Sequence, residues 1–173
     1  KRWAAAEDAL GRPVLSNQVQ YNLLAAKPSE AIVPHAQAHD RLVIAYSPLA
    51  KGLLGGRYGP DNLPGSSARG MDPLWVPENV ARAMPVVETL RRVADAHDAT
   101  PSQVALAWLI HHPSVVVIPG ASSVEQLRRN VEAADLDLLD DEVEELTAAS
   151  DAFTPLGKPA TAREMARGAF SRN

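Results

Sequence analysis

The stretch VVVIPGASSVEQLRRN, residues 115–130, joins a short β-branched run to a turn and a helix start. Residues 115–118 predict a strand, and the Pro-Gly pair that ends at Gly120 predicts the turn after it. Ser123 and Gln126 have the spacing of a capping box at a helix N-terminus. The free N–H groups and the dipole of such a helix suit an anion. An ordinary β-to-α turn has the same pattern, so this stretch alone leaves both interpretations open.

Two earlier apolar runs predict further strands of the same sheet. Val14–Gln20 predicts the first, and the continuous run Arg41–Ser47 predicts a strand covered on both faces, as in parallel sheets. Helical periodicity fills the intervals: one helix capped at Ser29, a second from Pro85, and a third with a capping box at Thr100. Strands that alternate with helices predict an α/β fold with a parallel sheet. Three strands are few for such a fold, which indicates part of a larger architecture.

Composition limits the classes of function. The 173 residues favour one domain, and 46% apolar residues are enough for a core. Net charge is -4 with Lys and Arg scattered, so we expect no nucleic-acid partner. The chain has no Cys, which excludes disulfides and thiolate metal sites and fits a cytoplasmic protein. No apolar run approaches the roughly 18 to 20 residues of a membrane span, so we expect no membrane partner.

Histidines offer weak candidates for a metal site. His35 and His39 lie four apart on a predicted helix, which is a ligand spacing. No third ligand is evident, and the H-E-x-x-H pattern is absent. We therefore predict a solvated helix face and no metal ion.

Polar and aromatic residues lie in or just after all three predicted strands. Gln18 lies in the first strand, Tyr46 and Ser47 end the second, and Ser122 follows the third. Ligands of parallel α/β folds bind outside the carboxyl ends of the strands. An amide, an aromatic ring and hydroxyls at that edge suit a ligand with a flat ring and a phosphate. Gln126 and Asn130 lie four apart, so both face the same side of the last helix.

Five stretches together resemble the aldo-keto reductase family. They are NQVQYNLL (17–24), IAYSPLAKGLLGGRY (44–58), PSQVALAWLI (101–110), VVVIPGASSVEQLRRN (115–130) and AAD (133–135). They stand in family order and spacing, and the resemblance covers nearly all of residues 14–147. It implies a partial TIM-type (β/α)8 barrel. Residues 1–173 would be its C-terminal part, with strands six to eight, their helices and the C-terminal helices, and the first half is absent from this chain.

The resemblance also implies a bound nicotinamide cofactor. Gln18 would bond the carboxamide, and Tyr46 would stack on the nicotinamide ring. The other implied contacts are Ser47, Pro48, Leu49, Ala50 and Lys51 on the pyrophosphate path, Arg57 and Arg69 at phosphate, and Gly120, Ser122, Gln126, Arg129 and Asn130 at the adenosine end. Many relatives place Lys or Arg at the Gly120 and Gln126 positions to pair the 2′-phosphate. We expect NADPH here, with NADH as the alternative.

The implied activity is the NADPH-dependent reduction of aldehydes or ketones to alcohols, with a small carbonyl substrate. The family's catalytic Tyr, Lys, Asp and His belong to the first half of the barrel. No catalytic residue is therefore assigned, and the isolated chain is expected to be inactive. Two alternatives stay open: a regulatory cofactor-binding module without turnover, and a half-barrel that self-associates through its open sheet edges. An intact upstream catalytic set favours the enzyme, whereas concentration-dependent oligomers favour the half-barrel.

Overall fold

A computed structural model describes residues 2–64, 72–157, 161–162 and 165 of the chain. Each strand is followed by one or two α-helices along these residues. The helices are α1 (Arg2–Leu10), α2 (Pro28–Ala38), α3 (Pro77–Ala96), α4 (Pro101–Ile110), α5 (Val124–Glu132) and α6 (Asp140–Ala152), and the strands are β1 (Ser16–Gln20), β2 (Leu42–Tyr46) and β3 (Val115–Val117). Short 3-10 helices cover Ala50–Gly55, Pro73–Trp75 and Ala133–Asp135.

The three strands form one parallel sheet in the order β1-β2-β3. Val19 of β1 is level with Ala45 of β2, which in turn is level with Val117 of β3. All three carboxyl ends therefore meet at one edge of the sheet. The predicted α/β class is confirmed, and a parallel sheet of consecutive βα units is consistent with part of a barrel.

Among the described residues, helices cover one face of the sheet, contrary to the expectation for β2. Val43 and Ala45 are fully buried on the covered face, because α2 and α4 pack on that side. On the opposite face the side chains of Leu42, Tyr46 and Val116 stay 40–44% exposed. A continuous apolar run therefore marks a strand with two apolar faces, of which the described part of the chain covers one.

The core lies between the covered sheet face and helices α3, α4 and α6. Leu90, Trp108 and Leu146, one from each helix, are at most 2% exposed. The indole N–H of Trp108 donates to Thr147 Oγ1 at 3.0 Å, so even the polar atom of this side chain is paired inside the core. Helix α4 begins with the predicted capping box, since Thr100 Oγ1 accepts from Gln103 N.

Two helix starts differ from the prediction. Helix α2 begins at Pro28 with Lys27 as its N-cap, and the hydroxyl of Ser29 donates back to Ala26 O instead of capping. Pro28 at the first helical position explains the earlier start, since its fixed φ suits that position. Helix α3 begins at Pro77 and continues through Pro85. Its earlier turns bury Val80 and Ala83 on the core face, which offsets the cost of an internal proline.

Candidate functional site

The carboxyl edge of the sheet brings the predicted ring and amide contacts to one side. Gln18 and Tyr46 both lie on the open face of the sheet, where Gln18 is level with Ile44 and Tyr46 with Gln20. Tyr46 is 40% exposed, which leaves its ring available for a flat partner. Ile118 N donates to Ala45 O at 3.2 Å, so the turn after β3 starts beside Tyr46.

The segment after β2, Ser47–Gly52, has an unusual backbone. Ser47, Ala50 and Lys51 have φ of 50°, 47° and 59°, in the left-handed region that side chains disfavour, and Gly52 has φ of 97°. Such residues cluster at binding segments and persist where their surroundings hold them. Here the burial of Leu53, at 0% exposure, anchors the following turn in the core. The backbone of this segment is therefore held in one shape at the edge of the sheet.

The predicted pyrophosphate contacts in this segment differ in accessibility. Pro48 and Ala50 are buried, Ser47 and Leu49 are half-buried, and Lys51 is exposed. The Lys51 ammonium forms an ion pair with the carboxylate of Asp72, whose other oxygen accepts from Leu74 N at 2.8 Å. The charge of Lys51 is thus already paired, and Ser47 offers the more available group to a phosphate.

The turn before α5 brings together four of the predicted adenosine contacts. Gln126 Oε1 accepts from Ser122 N at 2.7 Å and from Ser122 Oγ at 2.9 Å, and Asn130 Nδ2 donates to Gly120 O at 3.4 Å. Ser123 Oγ caps α5 by accepting from Gln126 N at 3.2 Å. The predicted capping box is therefore only half formed, because the Gln126 side chain reaches the backbone of Ser122 and not that of the cap residue.

The three arginines that the sequence predicts as cofactor contacts differ in their surroundings. Arg129 forms an ion pair with Glu125 one turn earlier on α5, so it lies on the exposed side of that helix. The guanidinium of Arg57 lies 5.9 Å from the ring centroid of Tyr58, in cation–π geometry. Arg69 lies outside the described residues.

A cavity of about 590 Å³ lies beside the ends of β1 and β2. Its wall is mostly apolar, with Leu24, Leu74, Phe153 and Leu156 among its residues and Gln20 at the sheet edge. Leu156 and Phe153 come from the segment that follows α6, which folds back over this edge. The cavity is large enough for a small organic molecule.

Three residues at this edge were not predicted from the sequence. Gln20 stands level with Tyr46, and strand alternation from Gln18 was the signal that would have found it. Asn22 is buried just beyond β1, and an Asn at a strand end is a turn signal. Asp72 pairs with Lys51 across the long connection, a contact that no local pattern indicates.

The geometry of the sheet edge indicates the class of the protein. A parallel sheet carries an aromatic ring, amides and a helix N-terminus at its carboxyl edge, where α/β proteins commonly place their ligand sites. The model of the aldo/keto reductase family matches residues 2–151. The chain belongs to the aldo/keto reductase family.

Relatives in several organisms agree with this assignment. An uncharacterized oxidoreductase of Mycobacterium tuberculosis (strain ATCC 25618 / H37Rv) is 52% identical over 171 residues, covering 99% of this chain and 53% of the relative. Aldo-keto reductase str7 of Strobilurus tenacellus is 35% identical and covers 76% of this chain and 40% of the relative. Aldo-keto reductase yakc [NADP(+)] of Schizosaccharomyces pombe is 30% identical and covers 84% of this chain and 44% of the relative. The chain thus spans about half the length of these relatives.

Solved structures show the same fold. A thermostable aldo-keto reductase crystallised with the inhibitor epalrestat is 28% identical with a TM-score of 0.64, and 84% of this chain matches 43% of that one. A glycerol dehydrogenase of Gluconobacter oxydans has a TM-score of 0.73, and 84% of this chain matches 46% of that one. Because the two sequences are only 22% identical, this likeness supports the fold alone.

Two further properties concern the described residues only. Within them, no three His, Cys, Asp or Glu side chains cluster as a metal ion would need. In the same part of the chain, no helix has both the length and the apolar character needed to cross a membrane.

Proposed function

We propose that this chain is the C-terminal part of an NADPH-dependent oxidoreductase that reduces aldehydes or ketones to alcohols. In this proposal residues 1–173 supply strands six to eight of a (β/α)8 barrel and act in the cytoplasm. The observation that carries it is that Gln18, Tyr46, Ser47 and the turn 120–122 lie in, or directly after, parallel strands that end at one edge of the sheet. These groups suit a carboxamide, a flat ring, a phosphate and an adenosine respectively.

Each group has a defined task toward the cofactor. Tyr46 offers its exposed ring as a surface for the nicotinamide, and Gln18 on the same face fixes the rotation of that ring through its amide. Ser47 donates to the pyrophosphate. The supporting positions are Pro48, Leu49, Ala50, Lys51, Arg57 and Arg69 near phosphate, and Gly120, Ser122, Gln126, Arg129 and Asn130 near adenosine. The bound cofactor supplies the hydride for reduction of the carbonyl carbon.

The chain's tyrosines do not suit the role of proton donor. Burial raises the pKa of Tyr21 to about 12, and its side chain packs edge-on against Trp108 in the core. Tyr58 packs edge-on against Trp75, which is itself buried. A general acid must contact the substrate, so we assign none to this chain and propose that it has no turnover by itself.

The substrate is proposed to meet the cavity beside β1. Its apolar wall suits the carbon skeleton of a small aldehyde or ketone, and Gln20 lies where the cavity meets the sheet edge. The cavity wall includes Phe153 and Leu156 from the segment after α6. Changes in that segment are therefore expected to alter substrate preference more than cofactor affinity.

Cofactor choice rests on the turn before α5. Neither Gly120 nor Gln126 carries a positive charge, and Arg129 already pairs with Glu125. NADPH is the proposed cofactor, and weak discrimination against NADH is expected because neither Gly120 nor Gln126 offers a bidentate cation to the 2′-phosphate.

Calorimetric titration of the chain with NADPH and NADH tests the proposal. A Gly120→Trp variant places bulk at the adenosine position, and Gly120→Ala is its control, because an added Cβ meets no described atom within 4 Å. Saturable binding of NADPH that persists in the Ala variant and is lost in the Trp variant would support the proposed cofactor site. Equal affinity in the parent and the Trp variant would overturn it.

Self-association is a second candidate function, favoured by the open face of the sheet. Leu42, Tyr46, Val116 and Ile118 expose 40–49% of their area there, and the edges of β1 and β3 carry no further strand among the described residues. Exposed apolar surface and open edges promote pairing with another chain. Sedimentation over a concentration series tests this: a constant monomer mass would contradict it.

A further inference from the structure

Asn22 connects the ends of two strands. It follows β1 and is 1% exposed, so its amide must be satisfied inside the protein. Its Oδ1 accepts from Leu24 N at 2.9 Å, which closes the local turn. Its Nδ2 donates to Ser47 O at 2.8 Å, across 25 residues, at the end of β2.

The local turn explains only half of this arrangement. An Asn in a turn uses its side-chain oxygen to accept from the backbone two residues later, as Asn22 does with Leu24. Turn formation leaves the Nδ2 donor unused. In this chain that donor reaches the carbonyl oxygen of Ser47. Ser47 is the first residue of the segment Ser47–Gly52 and has φ of 50°.

Ser47 is held from two sides through its carbonyl. Ala50 N donates to Ser47 O at 3.0 Å from within the segment, and Asn22 Nδ2 donates to the same oxygen from the neighbouring strand end. A carbonyl oxygen has two acceptor positions, so both are filled. Because a left-handed non-glycine residue is disfavoured, removal of one donor frees the peptide to relax toward an ordinary conformation.

We propose that Asn22 is a positioning residue that fixes the Ser47 backbone in the conformation that meets the cofactor phosphate. The inference rests on the proposed function, since it concerns the same site. It assigns Asn22 no contact with the cofactor: the side chain acts through the Ser47 carbonyl.

Asn79 supplies a matched control. It is also 1% exposed, its Nδ2 donates to Pro73 O at 2.8 Å and its Oδ1 accepts from Leu156 N at 2.7 Å. Both asparagines are thus buried amides with one donated and one accepted backbone bond. Of these two asparagines, Asn22 donates to Ser47 O and Asn79 donates to Pro73 O.

The test compares Asn22→Asp with Asn79→Asp. Each change keeps the side-chain shape and the accepting oxygen and removes the donor at neutral pH. Amide hydrogen exchange at Ala50 reports the Ser47 carbonyl directly, and NADPH titration reports the site. For Asn22→Asp we expect about tenfold faster exchange at Ala50 and about tenfold weaker NADPH binding, as for loss of one buried hydrogen bond. Exchange in α4 should stay near that of the parent, and Asn79→Asp should leave both Ala50 exchange and NADPH binding near the parent values.

Acidification gives a readout that a general loss of stability does not mimic. At a pH low enough to protonate the introduced carboxyl group, that group again donates a hydrogen bond. Protection at Ala50 should then return in Asn22→Asp relative to the parent at the same pH. Unchanged Ala50 exchange at neutral pH, or equal effects of the two asparagine variants on it, would overturn the inference. Absence of NADPH binding by the parent would count against the proposed function, and the exchange comparison would still decide whether Asn22 holds Ser47.

Discussion

Removal of the Glu142 charge should weaken the contact between α3 and α6 in a pH-dependent way. The Glu142 carboxylate accepts from His97 Nε2 at 2.8 Å and 2.9 Å through its two oxygens, and from Leu139 N at 2.9 Å. The two side chains are 20% and 12% exposed, so water screens this pair less than a surface pair. Burial raises the pKa of Glu142, but the bonds from Leu139 and His97 and the charge of Arg92 outweigh it and lower that pKa overall.

The change Glu142→Gln keeps an oxygen for Leu139 N and removes the negative charge. A hydrogen bond to a charged partner contributes more than a neutral one, by about 1 kcal/mol. We expect a loss of about 1 kcal/mol in the free energy of unfolding at pH 7, or about 2–4 °C in Tm for a chain of this size. Because the folded-state pKa is lowered, this contribution is present above the ordinary value of 4.5 and is lost as pH falls through the folded pKa.

Urea unfolding of the parent and the variant at pH 7 and at pH 3.5 measures both parts of the prediction. The difference between the two proteins should be clear at pH 7 and smaller at pH 3.5. Glu144→Gln on the exposed side of the same helix is the control and should change stability by less than about 0.5 kcal/mol. A loss that is the same at both pH values, or equal in the two variants, would refute the reasoning.

Three further changes test the core and the helix cap, each by urea unfolding. Leu90→Ala removes a fully buried side chain and should cost about 2–5 kcal/mol; a loss below 1 kcal/mol would contradict its place in the core. Ser150→Ala deletes the hydroxyl that donates to Leu23 O at 2.6 Å and should cost about 1–3 kcal/mol, because that carbonyl loses its buried donor. Ser123→Ala removes the acceptor of Gln126 N and should cost about 1 kcal/mol and weaken NADPH binding, and full affinity in this variant would argue against the helix terminus as a contact.

Sequence periodicity was sufficient for most of the fold and failed where tertiary packing overrides local signals. The three strands and the capping box at Thr100 follow from β-branched runs and start residues, which act locally. The start of α3 was not predicted, because Pro85 taken alone is a signal that stops a helix. The helix continues through Pro85 because Val80 and Ala83 are buried in the core, which is a tertiary effect. The open face of β2 was missed because an apolar run does not say which of its faces a partial chain covers.

The positions of the candidate site residues in the fold could be predicted from the sequence, whereas their backbone conformation could not. Tyr46 and the turn at Gly120 lie at the carboxyl ends of their strands, as expected, because parallel strands put these ends at one edge. Their contact with a cofactor stays a prediction. The left-handed φ of Ala50 and Lys51 was not predictable, since neither is a residue type that favours it. The bond from Asn22 to Ser47 joins residues 25 apart and is visible only once the strands are paired.

The most direct test of the central claim is a titration of the isotope-labelled chain with NADPH, followed through its backbone amide NMR signals. The account predicts saturable shifts at Ser47, Lys51, Gly120 and Ser122, with smaller changes in α6. Such a result would locate the cofactor along the carboxyl edge of the sheet. Absence of saturable shifts, or shifts centred on another surface, would contradict the claim that this chain binds the cofactor along the carboxyl edge of its sheet.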